Sequence, residues 1–165
     1  MQQRSIRGAI AIVSAILVGA LPLPASAAMG VPWPIPQARV IRGYAPPAQN
    51  WLPGHRGIDL RAPSGTRVSS PVTGTVRFAG RIANRDVLSL KAATGEVITF
   101  EPVESSVATG EPIRVGQTIG RVSVGGHCGT TCLHVGVLVH GNYISPLRFF
   151  RVPRARLLPL TPTRP

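Results

Sequence analysis

Three residues that can ligate a divalent metal ion lie in two short motifs far apart in the chain. His55 and Asp59 belong to GHRGIDL at residues 54–60, and His134 belongs to CLHVG at residues 132–136. Two imidazoles and one carboxylate leave a fourth tetrahedral position open, which is typical of a catalytic rather than a structural zinc site. The sequence therefore predicts one Zn²⁺ ion held by these three side chains. Taken singly, the two histidines could instead be hydrogen-bonded histidines of a β-domain, and Asp59 a turn residue.

The elements that must position these side chains are predicted to be short strands. From residue 55 onward, runs of Val, Ile, Leu and Thr alternate with turns rich in Gly, Ser and Pro. The runs at residues 87–90 and 97–100 flank the turn sequence AATG, which predicts a hairpin. No stretch with helical periodicity is long enough for an amphipathic helix. We therefore predict an all-β fold, an antiparallel β-sandwich or barrel.

Residues 1–27 have the pattern of a secretory signal peptide. Arg4 and Arg7 precede an apolar run at residues 8–21, and the small residues 25–27 form a cleavage signature. A membrane anchor is the alternative, but the apolar run is shorter than the ~20 residues that a spanning helix needs. We expect a secreted, extracellular protein without stable membrane insertion after cleavage.

This interpretation predicts that the exported protein begins near Ala28, because the leader is removed after the small residues. Mass spectrometry of the protein recovered outside the cell would identify its amino terminus. An exported chain that still begins at Met1 would contradict the prediction.

Two further segments flank a predicted domain at residues 54–148. Residues 28–53 are punctuated by proline and are predicted to form an extended lead-in that packs over the domain, with Trp33 and Trp51 as apolar anchors. Residues 149–165 are rich in Arg and Pro and are expected to be loosely held.

The chain is strongly basic, with 18 Lys and Arg against 6 Asp and Glu and a formal net charge of +12. Such a charge on an exported protein favours contact with anionic polymers such as a cell wall, or with anionic membrane surfaces. Good solubility is the alternative explanation. The arginines are scattered and are not interleaved with aromatic residues, which argues against a nucleic-acid partner.

Several motifs together resemble one known family. They are GHRGIDL at 54–60, APSGT at 62–66, GTV at 74–76, GQTIG at 116–120 and LH at 133–134. In order and spacing they resemble the lysostaphin-type (LytM domain) zinc peptidases over residues 54–146. The resemblance implies a β-fold of the LytM (duplicated hybrid motif) type and a single zinc at His55, Asp59 and His134. It also implies hydrolysis of peptide bonds in bacterial peptidoglycan.

The chain departs from this family at two histidines that are not metal ligands. The family has His-x-His where this chain has Cys-Leu-His at 132–134, and Tyr-Ala-His where it has Phe-Glu-Pro at 100–102. The resemblance implies that these histidines help to activate the water and to stabilise the transition state. A positioned general acid or base contributes about 10²–10⁴ in rate, and an oxyanion donor about 10²–10³. The sequence therefore supports the metal better than it supports catalysis.

Glu101 is one candidate to carry the proton instead. Because Pro102 takes the position of the family's histidine, strand alternation is expected to point Glu101 away from the metal, unless Pro102 introduces a bulge. Glu104 shares the parity of Pro102 but lies further along the chain.

His127 is the second candidate, because it lies in a Gly-rich stretch before His134 that could fold back to the cleft. The alternative is a solvent-exposed turn histidine. His140 precedes a Gly-Asn turn signal and is expected in a hairpin rather than at the site.

Cys128 and Cys132 allow two interpretations. In an exported protein they are expected to form a disulfide that fixes the entry to the His134 strand. Alternatively, Cys132 contributes a thiolate to the metal from the same strand face as His134, which would close the open position and make the site structural.

Two functions remain open from the sequence. The first is a secreted, cell-wall-associated zinc metallopeptidase that cleaves peptidoglycan cross-links. Its proton-transferring residues would be altered relative to those of the family. The second is a non-catalytic relative that binds the wall or regulates a partner wall hydrolase. The intact ligand triad favours the first function, and the missing histidines favour the second.

Overall fold

The computed structural model describes residues 31–49 and 51–150, which form two antiparallel β-sheets. The predicted signal peptide, the start of the predicted lead-in and the Arg/Pro-rich residues from 151 onward lie outside the described residues. The described part contains eleven strands and two 3₁₀ helices, Gly126–Cys128 and Pro146–Arg148. The strands are β1 Val40–Arg42, β2 Gly57–Arg61, β3 Arg67–Ser69, β4 Gly74–Ile82, β5 Arg85–Ala92, β6 Val97–Glu101, β7 Val103–Ser105, β8 Pro112–Ile113, β9 Thr118–Val122, β10 Cys132–Val139 and β11 Asn142–Ile144.

The larger sheet has the strand order β1-β2-β10-β6-β5-β4-β8, with β11 paired to β10, and the smaller sheet has the order β3-β9-β7. Every pair of these strands is antiparallel. The predicted hairpin is present, since Leu88 pairs with Phe100 and Lys91 with Val97 across β5 and β6. The predicted all-β antiparallel fold is therefore confirmed.

The core lies on one face of the larger sheet, and strand alternation determines which residues reach it. In β10 the alternate residues Leu133, Val135 and Val137 are completely buried in the apolar core. The residues between them, including His134, belong to the opposite face. The β-branched and Leu residues of β10 therefore anchor the strand, and their spacing turns His134 away from the core.

The lead-in contributes to this packing, although only one of its two tryptophans does so. Ile35 is buried in the core, and Trp33 stacks on Phe150 with ring centroids 4.8 Å apart. Trp51 is 78% exposed, so the expectation that it anchors the lead-in is wrong. Phe150 is buried against this apolar cluster, so the first residues of the tail are held more firmly than their Arg/Pro-rich context indicated.

Within residues 31–49 and 51–150, no helix has the length and apolar character needed to cross a bilayer.

Strands β2 and β10 approach so closely at Gly57 that a side chain would not fit. A Cβ atom built there would lie 2.2 Å from the Val135 carbonyl oxygen and 2.7 Å from His134 Cε1. The glycine therefore sets the distance between the two strands that carry Asp59 and His134.

We predict that Gly57→Ala lowers the free energy of unfolding by about 1–3 kcal/mol, because the methyl group overpacks this contact. Urea unfolding followed by circular dichroism measures the change. Gly43→Ala is the matched control, because a Cβ at Gly43 meets nothing within 4 Å. Equal stability of the two variants would contradict the prediction.

Candidate metal centre

Two adjacent strands and one preceding residue bring the three predicted ligands together. Asp59 on β2 lies directly opposite His134 on β10 in the strand register. His55 precedes β2, and its backbone pairs with Ala45 through two hydrogen bonds of 2.8 and 3.0 Å. The side chains of His55, Asp59 and His134 are 5%, 4% and 11% exposed. Residues separated by up to 79 positions thus share one buried point.

The ligand atoms of these side chains converge on a carboxylate oxygen. Asp59 Oδ1 lies 3.0 Å from His55 Nε2 and 2.8 Å from His134 Nδ1. His55 Nε2 and His134 Nδ1 are themselves 3.1 Å apart. These separations place three good metal donors around one small volume.

The hydrogen bond at the far side of His55 indicates that this volume suits a cation. His55 Nδ1 lies 2.6 Å from the Gly43 carbonyl oxygen. A carbonyl can only accept, so Nδ1 carries a proton. In the neutral ring that a metal ligand requires, Nε2 would then present a lone pair toward the Asp59 carboxylate, which also only accepts. A metal ion satisfies both acceptors, and an outer hydrogen bond of this kind is the usual support for a metal-binding histidine. The donors present therefore fit zinc, which prefers nitrogen and oxygen ligands in this combination.

His127 joins the same group. It lies in the 3₁₀ helix Gly126–Cys128, and its Nε2 is 3.0 Å from Asp59 Oδ1. Its ring meets those of His134 and His55 edge-on, with centroids 5.1 and 5.7 Å apart. One ligand atom from each of the four side chains lies within 4.8 Å of the others. Unlike the other three side chains, His127 is 40% exposed. His127 therefore approaches the other three side chains from the solvent-exposed side of the site.

A disulfide holds the loop that carries His127. Cys128 and Cys132 are joined, as predicted, which links the 3₁₀ helix to the first residue of β10. Cys132 is therefore not available as a thiolate ligand in this state. The bond connects His127 and His134 through a short covalent path and limits how far the loop can move from the metal group.

Two glycines before His127 pack the loop onto the β4–β5 hairpin. Gly125 and Gly126 both have positive φ, and a Cβ on either would meet Asn84 or Arg85 closer than 3.0 Å. Glycine alone permits both this backbone and this close approach. The loop therefore packs against Arg85.

Glu101 lies in the cleft, contrary to the expectation from strand alternation. It is directly opposite His134 in the register of β6 and β10. β6 ends at Glu101, and Pro102 is buried between β6 and β7, so the proline does not continue the alternation as expected. The Glu101 carboxylate accepts from Arg85 Nε at 2.5 Å. Glu104 and His140 line other cavities, away from the four clustered residues.

The electrostatics of the group keep Asp59 ionised. Burial acts to raise the pKa of Asp59, but hydrogen bonds from His134, His127 and His55 and the charge interaction with His127 outweigh burial. The pKa of the carboxyl therefore lies well below its usual value. Asp59 thus has the charged form that a metal ligand requires.

A cavity of about 560 Å³ opens beside the group. Its lining contains three of the clustered residues, three arginines, one glutamate and several uncharged residues: His55, His127, His134, Arg42, Arg56, Arg85, Glu101, Gly54, Ile82, Val87, Thr99, Gly136 and Tyr143. The sequence interpretation missed the arginines and the Gly43 carbonyl. Nothing in their local sequence marks them, because only the sheet brings them to the site.

The fold and these side chains define an all-β domain with a His/Asp group able to hold a metal ion in an open cleft. The family description Peptidase family M23 matches residues 53–146. The chain therefore belongs to peptidase family M23, which confirms the resemblance found in the sequence.

Related proteins occur in mycobacteria. An uncharacterized protein of Mycobacterium tuberculosis (strain ATCC 25618 / H37Rv) is 34% identical over 166 residues, which cover 96% of this chain and 66% of the relative. A protein of Mycobacterium bovis matches equally. The chain thus spans just under two thirds of the length of these relatives.

Solved structures share the fold. The catalytic domain of the antimicrobial peptidase lysostaphin from Staphylococcus simulans superposes with a TM-score of 0.59 at 21% identity, covering 68% of this chain and 91% of that domain. The catalytic domain of the M23 protein EnpA from Enterococcus faecalis gives 0.58 at 20% identity, covering 70% and 94%. A chain of the SpoIIQ–SpoIIIAH pore-forming complex gives 0.61 at 20% identity, covering 74% and 91%.

We predict that the protein, stripped by a chelator, binds one equivalent of Zn²⁺ in isothermal titration calorimetry. His55→Ala and His134→Ala should weaken binding by more than the roughly 10–100-fold that loss of a supporting residue costs, because each removes a direct ligand. His140→Asn is the control, since His140 is exposed and outside the group. Unchanged zinc affinity in His134→Ala would contradict the assignment.

Proposed function

We propose that the protein is a secreted zinc metalloendopeptidase that hydrolyses peptide bonds in bacterial cell-wall peptidoglycan. The observation that carries the proposal is the convergence of His55, Asp59 and His134 on one point at the side of an open cleft. Membership of peptidase family M23 and the fold shared with the lysostaphin catalytic domain support it. The basic charge of the chain fits action at an anionic wall.

Zinc, when bound, acts as a Lewis acid toward a peptide carbonyl and makes water acidic enough to give hydroxide near neutral pH. His55, Asp59 and His134 would hold it, and their burial and mutual contacts keep them in place. What the chain itself must still supply is a group that carries the proton from the water to the leaving amine.

We assign this role to His127. Its Nε2 reaches Asp59 Oδ1 at 3.0 Å, so it is close enough to act at the reacting atoms. Its 40% exposure sets it apart from the buried ligands and leaves its ring accessible to a substrate. Cys132 occupies the position of one of the two missing family histidines, and its disulfide partner is Cys128, the neighbour of His127. The loop thus supplies a histidine close to where the strand lacks one.

Glu101 is the second candidate for the proton carrier. It lines the same cavity and lies opposite His134, but its carboxylate is engaged by Arg85. This ion pair must open or rearrange before Glu101 can take a proton from water. We therefore rank His127 ahead of it.

Digestion of purified peptidoglycan by the zinc-loaded protein, with new amine termini counted, tests the proposal. We expect release that is abolished in His134→Ala. In His127→Ala, kcat should fall by about 10²–10⁴, the contribution of a general acid or base, while one zinc is still bound. Glu101→Gln should lower kcat less than His127→Ala does, and Glu104→Gln is its control because Glu104 lies outside the cleft.

Two results would revise the proposal. Unchanged turnover in His127→Ala would remove His127 from the mechanism and direct attention to Glu101. No release by the zinc-loaded protein from several wall types would refute the peptidase.

The second candidate function is a non-catalytic domain that binds the wall or regulates a wall hydrolase. The two missing histidines favour it, as does the fold shared with a chain of a pore-forming protein complex. Sedimentation with peptidoglycan in the absence of any amine release would identify this function.

A further inference from the structure

The register of the larger sheet places four side chains in one row across the metal centre. Arg42 on β1 pairs with Asp59, Asp59 pairs with His134, and His134 pairs with Glu101. Directly opposed residues of neighbouring strands project from the same face, about 5 Å apart. Arg42 follows a β-bulge or similar irregularity in β1, and its place in the cleft lining puts it on the same face as the other three. The row therefore extends about 14 Å from Arg42 to Glu101, with the metal ligands in the middle.

The Glu101 end of the row carries a second arginine. Arg85 Nε donates to Glu101 Oε2, and the Arg85 side chain is 33% exposed. The aliphatic part of Arg85 packs against Gly126 of the loop that carries His127. A guanidinium has five N–H donors, and the contact with Glu101 uses one of them. Arg85 is thus held in a definite position beside the cleft, with donors in excess of its partner.

The lining of the cleft has more positive than negative charge. Arg42, Arg56 and Arg85 face a single carboxylate, Glu101, apart from the metal ligands themselves. Within the described part of the chain, the ion pairs of the cleft engage Arg85 and leave Arg42 without a carboxylate partner. A cleft of this sign concentrates anionic ligands.

We propose that the cleft binds a peptide that carries a free carboxylate close to the scissile bond, and that Arg42 and Arg85 are its carboxylate-binding residues. The proposal rests on the proposed peptidase function and names the chemistry of its substrate. Arginine matches a carboxylate with two parallel hydrogen bonds, which a neutral amide cannot reproduce. Arg42 lies one strand spacing, about 5 Å, from Asp59, so the carboxylate it meets is one or two residues from the bond presented to the metal group.

The test uses full-length zinc-loaded protein and a matched pair of probes. The probes are dansyl-labelled muropeptides, and the same muropeptides after carbodiimide–ammonia treatment has converted their carboxylates to carboxamides. Fluorescence anisotropy measures binding, and chromatography measures hydrolysis. We expect the carboxylate probe to bind roughly 10–100-fold more tightly, the range of a hydrogen bond to a charged group, and less so at high salt.

Arg42→Gln should remove most of this preference and Arg42→Lys should restore part of it, because lysine keeps the charge without the paired donors. Arg85→Gln should have a similar effect, although it also leaves Glu101 unpaired, so Arg42 provides the cleaner variant. Arg77→Gln is the control, since Arg77 is an exposed arginine that lines a different cavity.

The outcomes separate this inference from the peptidase proposal. Equal binding of the two probes, binding of neither, or a preference that survives Arg42→Gln would overturn the inference, even if peptidoglycan is hydrolysed. A different result is preferential binding of the carboxylate probe that depends on Arg42, while neither probe is hydrolysed. This result would support carboxylate recognition and would refute only the proposed peptidase function.

Discussion

The pairing of β2 with β10 is the constraint on which the site depends. It places Asp59 opposite His134, and Asp59 Oδ1 then becomes the common contact of three imidazoles. Gly57 permits the close approach of the two strands, and the apolar residues of β10 on the core side hold His134 toward the cleft. The chemistry of the group therefore depends on backbone geometry that core packing stabilises.

The loop before β10 shows how a histidine can be supplied from outside the strands. His127 has no regular strand to orient it, and its position results from the Cys128–Cys132 disulfide and from the packing of Gly126 on Arg85. A covalent link and a tight backbone contact limit the conformations of a short loop in the same way that a sheet limits a strand. Because Cys132 is the first residue of β10, its disulfide with Cys128 holds the loop and the His134 strand together as one unit.

Arg85 connects the loop with the far wall of the cleft. It contacts Gly126 on one side and forms an ion pair with Glu101 on the other. The loop of His127, which we assign to proton transfer, thus packs against Arg85, one of the two residues that we assign to carboxylate binding. Substrate binding at Arg85 and the position of His127 are for this reason expected to be coupled, since a guanidinium that rearranges also moves its neighbours.

By itself, the sequence determined the all-β fold, the His55, Asp59 and His134 group and the disulfide, because strand periodicity, short motifs and cysteine spacing are local features. It left the place of His127 open and put Glu101 on the wrong face, since alternation was counted through Pro102 although β6 ends before it. It also assigned Trp51 an anchoring role that its exposure excludes. Only the tertiary structure decided these points and the arginine-lined cleft, because they depend on contacts between strands distant in the chain. Sheet register alone brings Arg42, Asp59, His134 and Glu101, which are far apart in the chain, into one row across the cleft.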